Sequence, residues 1–145
     1  GETVVLRESR PYIGGGLREG DARKVLAKEA RILQRLAPTG LVPRFIDYFT
    51  TDGGHEFLVQ ERLEAESLWG YAINITHQEE GRTSGDVLDR IVATFRAIAN
   101  GLAEVHARGI VLRDLTKTNV MFTPDHQVRF IDFELSYEID GDDPV

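Results

Sequence analysis

Between Ile110 and Phe133, short apolar runs enclose three polar groups of fixed type and spacing. Ile110 to Leu112, Asn119 to Thr123 and Val128 to Phe133 read as strands, and Pro124-Asp125-His126-Gln127 supplies turn chemistry between the last two. Asp114 follows the first strand, Asn119 opens the second and Asp132 closes the third. Such a turn brings Asn119 and Asp132 to the ends of adjacent strands, where an amide oxygen and a carboxylate can share hard magnesium ions. Each residue alone reads as a turn former or as the end of a surface strand. Together, between strands of buried type, they point to a loop built to present oxygen ligands.

Phosphoryl transfer needs this set of groups. One carboxylate orients the attacking hydroxyl, an amide oxygen holds one magnesium, and a second carboxylate holds magnesium against the nucleotide phosphates. Asp114, Asn119 and Asp132 fill those roles in turn. Arg113-Asp114-Leu115, with Asn119 four residues on, resembles the protein-kinase signature Arg-Asp-Leu-x-x-x-Asn, with Leu112 in the place of the usual histidine. Asp132-Phe133 resembles the start of the second signature, Asp-Phe-Gly, with Glu134 in the place of glycine.

The segment before this corner has helical periodicity. From Asp86 to Arg108 the residues Ile91, Phe95, Ile98, Leu102 and Val105 recur at intervals of three and four, the mark of one buried face. Thr83 and Asp86 form a capping-box pattern, and Gly109 is placed to stop the helix. His106, near its end, reads as a packed or capping histidine rather than a base or ligand.

The first third supplies a candidate small lobe. Thr3 to Glu8 is strand-like, and Ala22 to Leu36 has a helix pattern with Val25, Ile32, Leu33 and Leu36 on its apolar side. Kinases place on a small-lobe strand a lysine that touches the α and β phosphates and pairs with a glutamate of the next helix. Arg7 and Glu29 stand at the matching places; arginine keeps the charge but offers a planar fork instead of a point donor. The bland reading is an ordinary strand arginine and an exposed helix glutamate. Val42 to Phe49 and His55 to Leu63 read as a hairpin turning at Thr51-Asp52-Gly53-Gly54. The second strand leads into the expected adenine-contacting hinge, with Gln60 just before it and Glu61, Arg62 and Leu63 within it.

Other features carry less. Ile13-Gly14-Gly15-Gly16-Leu17 lacks the spacing and the lysine of a nucleotide loop and reads as a strand-to-helix linker. The four histidines lack metal-ligand spacing, and the absence of cysteine leaves no zinc or disulfide pattern. A net charge of −7 argues against nucleic acid or an acidic membrane surface as the main partner. No apolar run is long enough to span a bilayer and no signal pattern opens the chain, so the cytoplasm is the expected compartment. Asn74 to Gly85, polar and glycine-containing, is the expected mobile connection ahead of the long helix.

Most of the chain is similar to the kinase domain of class III lanthipeptide synthetases. The likeness rests on Val4-Val5-Leu6-Arg7-Glu8-Ser9-Arg10-Pro11-Tyr12, Lys28-Glu29-Ala30-Arg31-Ile32-Leu33, Asp47-Tyr48-Phe49 and Phe57-Leu58-Val59-Gln60-Glu61. His106-Ala107-Arg108-Gly109-Ile110-Val111-Leu112-Arg113-Asp114-Leu115 and Ile131-Asp132-Phe133-Glu134 complete it. It implies an α+β, protein-kinase-like two-lobed fold, incomplete here. Residues 1–63 would be part of the small lobe and the hinge, and residues 64–145 the first part of the large lobe.

The implied reaction moves a phosphoryl group from ATP or GTP, with Mg2+, to serine or threonine hydroxyls of a ribosomal precursor peptide. Lyase and cyclase domains of the parent enzyme would follow, and they, the remaining kinase segments and the peptide are the implied partners; nucleic acid and membrane are not. Asp114 would act on the hydroxyl, Asn119 and Asp132 would hold magnesium, and Arg7 with Glu29 would position phosphates. Arg113 would brace the loop, and Lys117 would reach the transferring phosphate from one position later than in many serine/threonine kinases. The chain starts at what resembles the third small-lobe strand and ends soon after Asp132, so the expectation is a fragment of a longer polypeptide that transfers little phosphate alone. A small-molecule kinase of the aminoglycoside or choline type, or a non-catalytic pseudokinase, are the alternatives.

Overall fold

A computed structural model describes residues 3–9, 19–77 and 83–139. The first unit is a three-stranded antiparallel sheet of β1 (Val4–Glu8), β2 (Phe45–Thr50) and β3 (Glu56–Glu61), ordered β1-β3-β2. Its hairpin turns where the glycines stand, with Gly54 at φ 77° and its N–H donating to Thr51 O at 2.8 Å. Helix α1 (Glu19–Leu36) covers this sheet with Leu26, Ala30, Leu33 and Leu36. A 3-10 turn (Ala37–Thr39) ends it, and the chain after that turn is fastened to the rest of the molecule by the Phe130 N–H, which donates to Leu41 O at 2.7 Å.

Two smaller antiparallel sheets carry the remaining strands. β4 (Glu66–Ser67), β6 (Val120–Phe122) and β7 (Val128–Phe130) form one, ordered β4-β6-β7, while β5 (Ile110–Val111) pairs with β8 (Tyr137–Glu138). Between them run α2 (Leu68–His77) and α3 (Ser84–Ala107). Phe122, Phe130 and Phe133 are almost fully buried, together with Ile110, Val105 and Val120. Burying each large apolar side chain is worth about 1.5–3 kcal/mol, so the strand ends that carry the polar corner are anchored by their aromatic neighbours.

The expected α+β class is what the chain adopts. The capping box at Thr83 and Asp86 forms, and Gly109 stops α3 at φ 71° with its N–H donating to His106 O at 2.8 Å. Several expectations need correction. Asn74 to His77 belong to α2 and are not a connection; the helix was hidden because its apolar and polar residues show no clean period. Residues 78–82 and the glycine run at 13–17 lie outside the described residues. The buried face of α3 is Thr94, Ile98, Gly101 and Val105, whereas Phe95 is 64% exposed and Ile91 is 37% exposed. Gly101 explains the rotation: a Cβ there would lie 3.0 Å from the Phe130 ring, so the bare backbone is the side that packs on β7. His106 is exposed, and only its carbonyl takes part in ending the helix.

Candidate active site

The loop after β5 is held from within. Asn119 Nδ2 donates to Asp114 Oδ2 at 2.9 Å and to the Asp114 carbonyl at 3.2 Å, closing the four residues between them into one turn. The Asn119 and Val120 N–H groups both donate to Thr116 O, at 3.1 and 3.2 Å. The amide nitrogen is thereby turned toward Asp114; among the described residues Asn119 Oδ1 accepts only a long contact from Thr118 Oγ1, at 3.5 Å, and keeps acceptor capacity for a cation.

Strand pairing brings Asp132 alongside. Val120 faces Phe130 in the β6–β7 register, and beyond the last pair the Ile131 N–H donates to Asn119 O at 3.0 Å. Asp132 then has φ 65°, a left-handed conformation that ends the strand and redirects its side chain. The expected third strand thus stops at Phe130, not Phe133. Asp132 Oδ1 is buried with no hydrogen-bond partner among the described residues. A buried carboxylate oxygen without a donor carries a desolvation cost that a cation would offset. Among the described residues no three His, Cys, Asp or Glu side chains form a metal cluster. One amide and one carboxylate oxygen fit a magnesium ion whose other ligands are phosphate oxygens and water.

Arg7 lies across this corner. Its Nη1 pairs with Glu29 Oε1 on α1 and its Nη2 with Glu134 Oε1, and Nη2 is also 3.7 Å from Asp132 Oδ1. The Glu29 side chain is 1% exposed, so it is not the ordinary surface glutamate of the bland reading. Its pKa is raised to about 7, first by burial and in smaller part by the charges of Asp132 and Glu134, against the Arg7 charge and the Phe133 backbone N–H, which lower it.

The other sequence-predicted residues lie apart from this cluster. Arg113 is exposed and has no ion pair among the described residues. Lys117 Nζ sits 3.8 Å from the centre of the Trp69 ring, and both residues line an apolar groove of about 300 Å³ between α2 and α3. Gln60 is buried at the end of β3, with Oε1 unpartnered. Glu61 is engaged on both sides: its N–H donates to Arg44 O at 2.9 Å and its Oε2 accepts from the Arg44 N–H at 3.0 Å. The N–H of Leu63 makes no hydrogen bond to a described backbone carbonyl, which is the state an adenine-contacting hinge amide requires.

Sequence reasoning missed two acidic residues. Glu134 was noted only as a replacement for glycine, yet it is a direct partner of Arg7. Glu138, on β8, accepts from Arg31 Nη2 at 3.0 Å and lies 3.9 Å from Arg35 Nη1, both on α1. The available signal was charge: a carboxylate two residues after a metal-type aspartate, in a chain whose small-lobe lysine is an arginine.

Comparisons with known proteins give the relatives of this chain. The family model described as protein kinase domain matches residues 17–144. The chain is 33% identical over 144 residues to the probable SapB synthase of Streptomyces coelicolor, a match covering 97% of this chain and 15% of that protein. It is 34% identical over 107 residues to the serine/threonine-protein kinase PknL of Mycobacterium tuberculosis, covering 74% of this chain and 24% of that kinase. With the serine/threonine-protein kinase pkn2 of Myxococcus xanthus the identity is 31% over 119 residues, 79% of this chain and 13% of that protein. The chain therefore spans less than a quarter of the length of each of these relatives.

Proposed function

This chain belongs to the protein kinase family, and from that premise we propose that it transfers a phosphoryl group from ATP or GTP to serine or threonine hydroxyls of a ribosomal precursor peptide. The observation that carries the proposal is the joined corner: Asn119 grips Asp114, and the strand register sets Asp132 beside it. The peptide acceptor and the place of the reaction as the first step of lanthipeptide dehydration rest on the likeness to the synthase over 97% of the chain. The cytoplasm, where nucleotides and ribosomal precursors meet, is the setting of this reading, and lyase and cyclase domains of the parent enzyme are its partners.

Each residue has a task in it. Asp114, with Oδ2 fixed by Asn119, uses its carboxylate to orient the attacking hydroxyl and receive its proton. Asn119 Oδ1 and the Asp132 carboxylate would hold magnesium, which when bound offsets the negative charge of the phosphates. Arg7, braced by Glu29, presents guanidinium hydrogens to the α and β phosphates. Arg113 supports the loop. Lys117 would have to leave the Trp69 ring to reach a phosphate.

The test uses the intact polypeptide with nucleotide, magnesium and its candidate precursor peptide, beside Asp114→Asn. Mass spectrometry should show phosphorylated or dehydrated peptide from the native protein, and a loss of roughly 1000-fold or more in the variant. Unchanged peptide with nucleotide still bound would instead favour the pseudokinase or a small-molecule acceptor.

A further inference from the structure

Arg7 is held at both of its terminal nitrogens, and only one of the two holds is expected of a kinase small lobe. Nη1 meets Glu29 from α1, and Nη2 meets Glu134, which follows Asp132 and Phe133 in the chain. Glu134 is well placed to hold it. Phe133, its neighbour, is fully buried, and the Ser136 N–H donates to Phe133 O at 3.1 Å, closing a turn that fixes the backbone under Glu134.

We propose that Glu134 is a positioning residue for nucleotide binding: it sets the plane of the Arg7 guanidinium and draws Nη2 away from the Asp132 carboxylate. The inference rests on the reading in which Arg7 meets nucleotide phosphates and Asp132 meets magnesium. Its physical basis is the difference between an ammonium and a guanidinium. An ammonium is a point donor with no plane to orient, so one carboxylate suffices to place it. A guanidinium presents donors in a rigid fork, and a single contact at Nη1 leaves that fork free to swing about the contact. A second carboxylate at Nη2 removes that freedom. It also settles a competition at the corner, because Nη2 lies 3.7 Å from Asp132 Oδ1 and would otherwise close on it. With Glu134 taking Nη2, the Asp132 carboxylate keeps an oxygen free for a cation. Arginine on the strand and glutamate after Phe133 thus form a matched pair, in the places where the common kinase signatures carry lysine and glycine.

A double-mutant cycle in the intact polypeptide tests the pairing. Native protein, Arg7→Lys, Glu134→Gly and the double variant are compared for nucleotide KM and kcat in peptide phosphorylation, and for affinity toward a fluorescent magnesium–nucleotide analogue. Glu134→Gly should raise nucleotide KM about tenfold and change kcat less than about threefold, because it disturbs positioning and not proton transfer. Arg7→Lys alone should be impaired more than the double variant, and the double variant should recover to within about threefold of native, the non-additivity expected of directly coupled residues. Glu134→Gln, which keeps the side-chain shape, should show the same rise in KM to a smaller extent, and it covers the case in which the glycine variant fails to fold. Additive effects, or a loss confined to kcat, in a native protein that binds nucleotide and phosphorylates peptide would overturn the pairing alone. A native protein that neither binds nucleotide nor transfers phosphate would overturn both the pairing and the reading beneath it.

Discussion

The segment from Asp132 to Glu138 meets helix α1 and its neighbouring strand twice, with opposite charge balance. At Arg7, one cation faces three carboxylates, those of Glu29, Glu134 and Asp132. At Glu138, one buried carboxylate faces two cations, Arg31 and Arg35. The second arrangement is complete as it stands: the carboxylate has its partners, and Arg31, 58% exposed, leaves its excess charge in water. The first is not. It leaves a carboxylate oxygen of Asp132 without a hydrogen-bond partner among the described residues, and the charges of Asp132 and Glu134 add to the burial that raises the Glu29 carboxyl to about 7. Negative charge gathered around one buried carboxyl is costly in a resting fold, and it would favour a divalent cation brought to the Asp132 carboxylate. The Glu138 contact holds α1 in place, and the Arg7 contact uses that placement.

The largest effect should follow from breaking the crowded side of this comparison. Arg7→Ala removes together the cation that pairs with Glu29, Glu134 and Asp132 and the proposed phosphate contact. The expected outcome is a fall in kcat/KM for nucleotide of roughly 100-fold or more, read by steady-state kinetics of the intact polypeptide.

A pH dependence should rank next. The Glu29 carboxyl rises from an ordinary 4.5 to about 7 on folding, so between those values the folded state binds a proton that the unfolded state has released. The contribution to stability is full below 4.5 and is lost as pH rises through about 7. Over that window the opening free energy of α1 should fall by on the order of 1 kcal/mol per pH unit, and Glu29→Gln should flatten the slope. Hydrogen exchange of α1 amides, corrected for the intrinsic pH dependence of exchange, gives the measurement. Equal slopes in the native and variant proteins would place the titrating group elsewhere.

What was legible in the sequence divides along similar lines. The polar corner could be read because strand periodicity and turn residues set Asn119 and Asp132 on paired strands, and the β6–β7 register delivers that pairing. Arg7 and Glu29 could be matched because each lies on a strongly patterned element, β1 or α1. The face of α3 could not: Phe95 fits the apolar period as well as Thr94 breaks it, and only the contact of Gly101 with Phe130 decides the rotation. Glu134 and Glu138 were equally hidden. Their partners lie 127 and 107 residues away, and a surface-type glutamate carries no local mark of a distant arginine.

The smallest effects should come from the complete side. Glu138→Gln takes the anion from between two arginines, so α1 amides should lose about 1–2 kcal/mol of protection against hydrogen exchange. Nucleotide KM should move less than about twofold, because Arg7 keeps Glu29 and Glu134. Arg31→Ala should cost less still, no more than about 0.5 kcal/mol, since its side chain is largely in water and Arg35 stays beside the same carboxylate. The order is the informative part. If Arg31→Ala costs more than Glu138→Gln, the exposed arginine is not redundant and the Glu138 contact is not over-supplied with cations. If either substitution raises nucleotide KM as Glu134→Gly is expected to do, the two contacts act on Arg7 as one, and the division between holding the helix and using it fails.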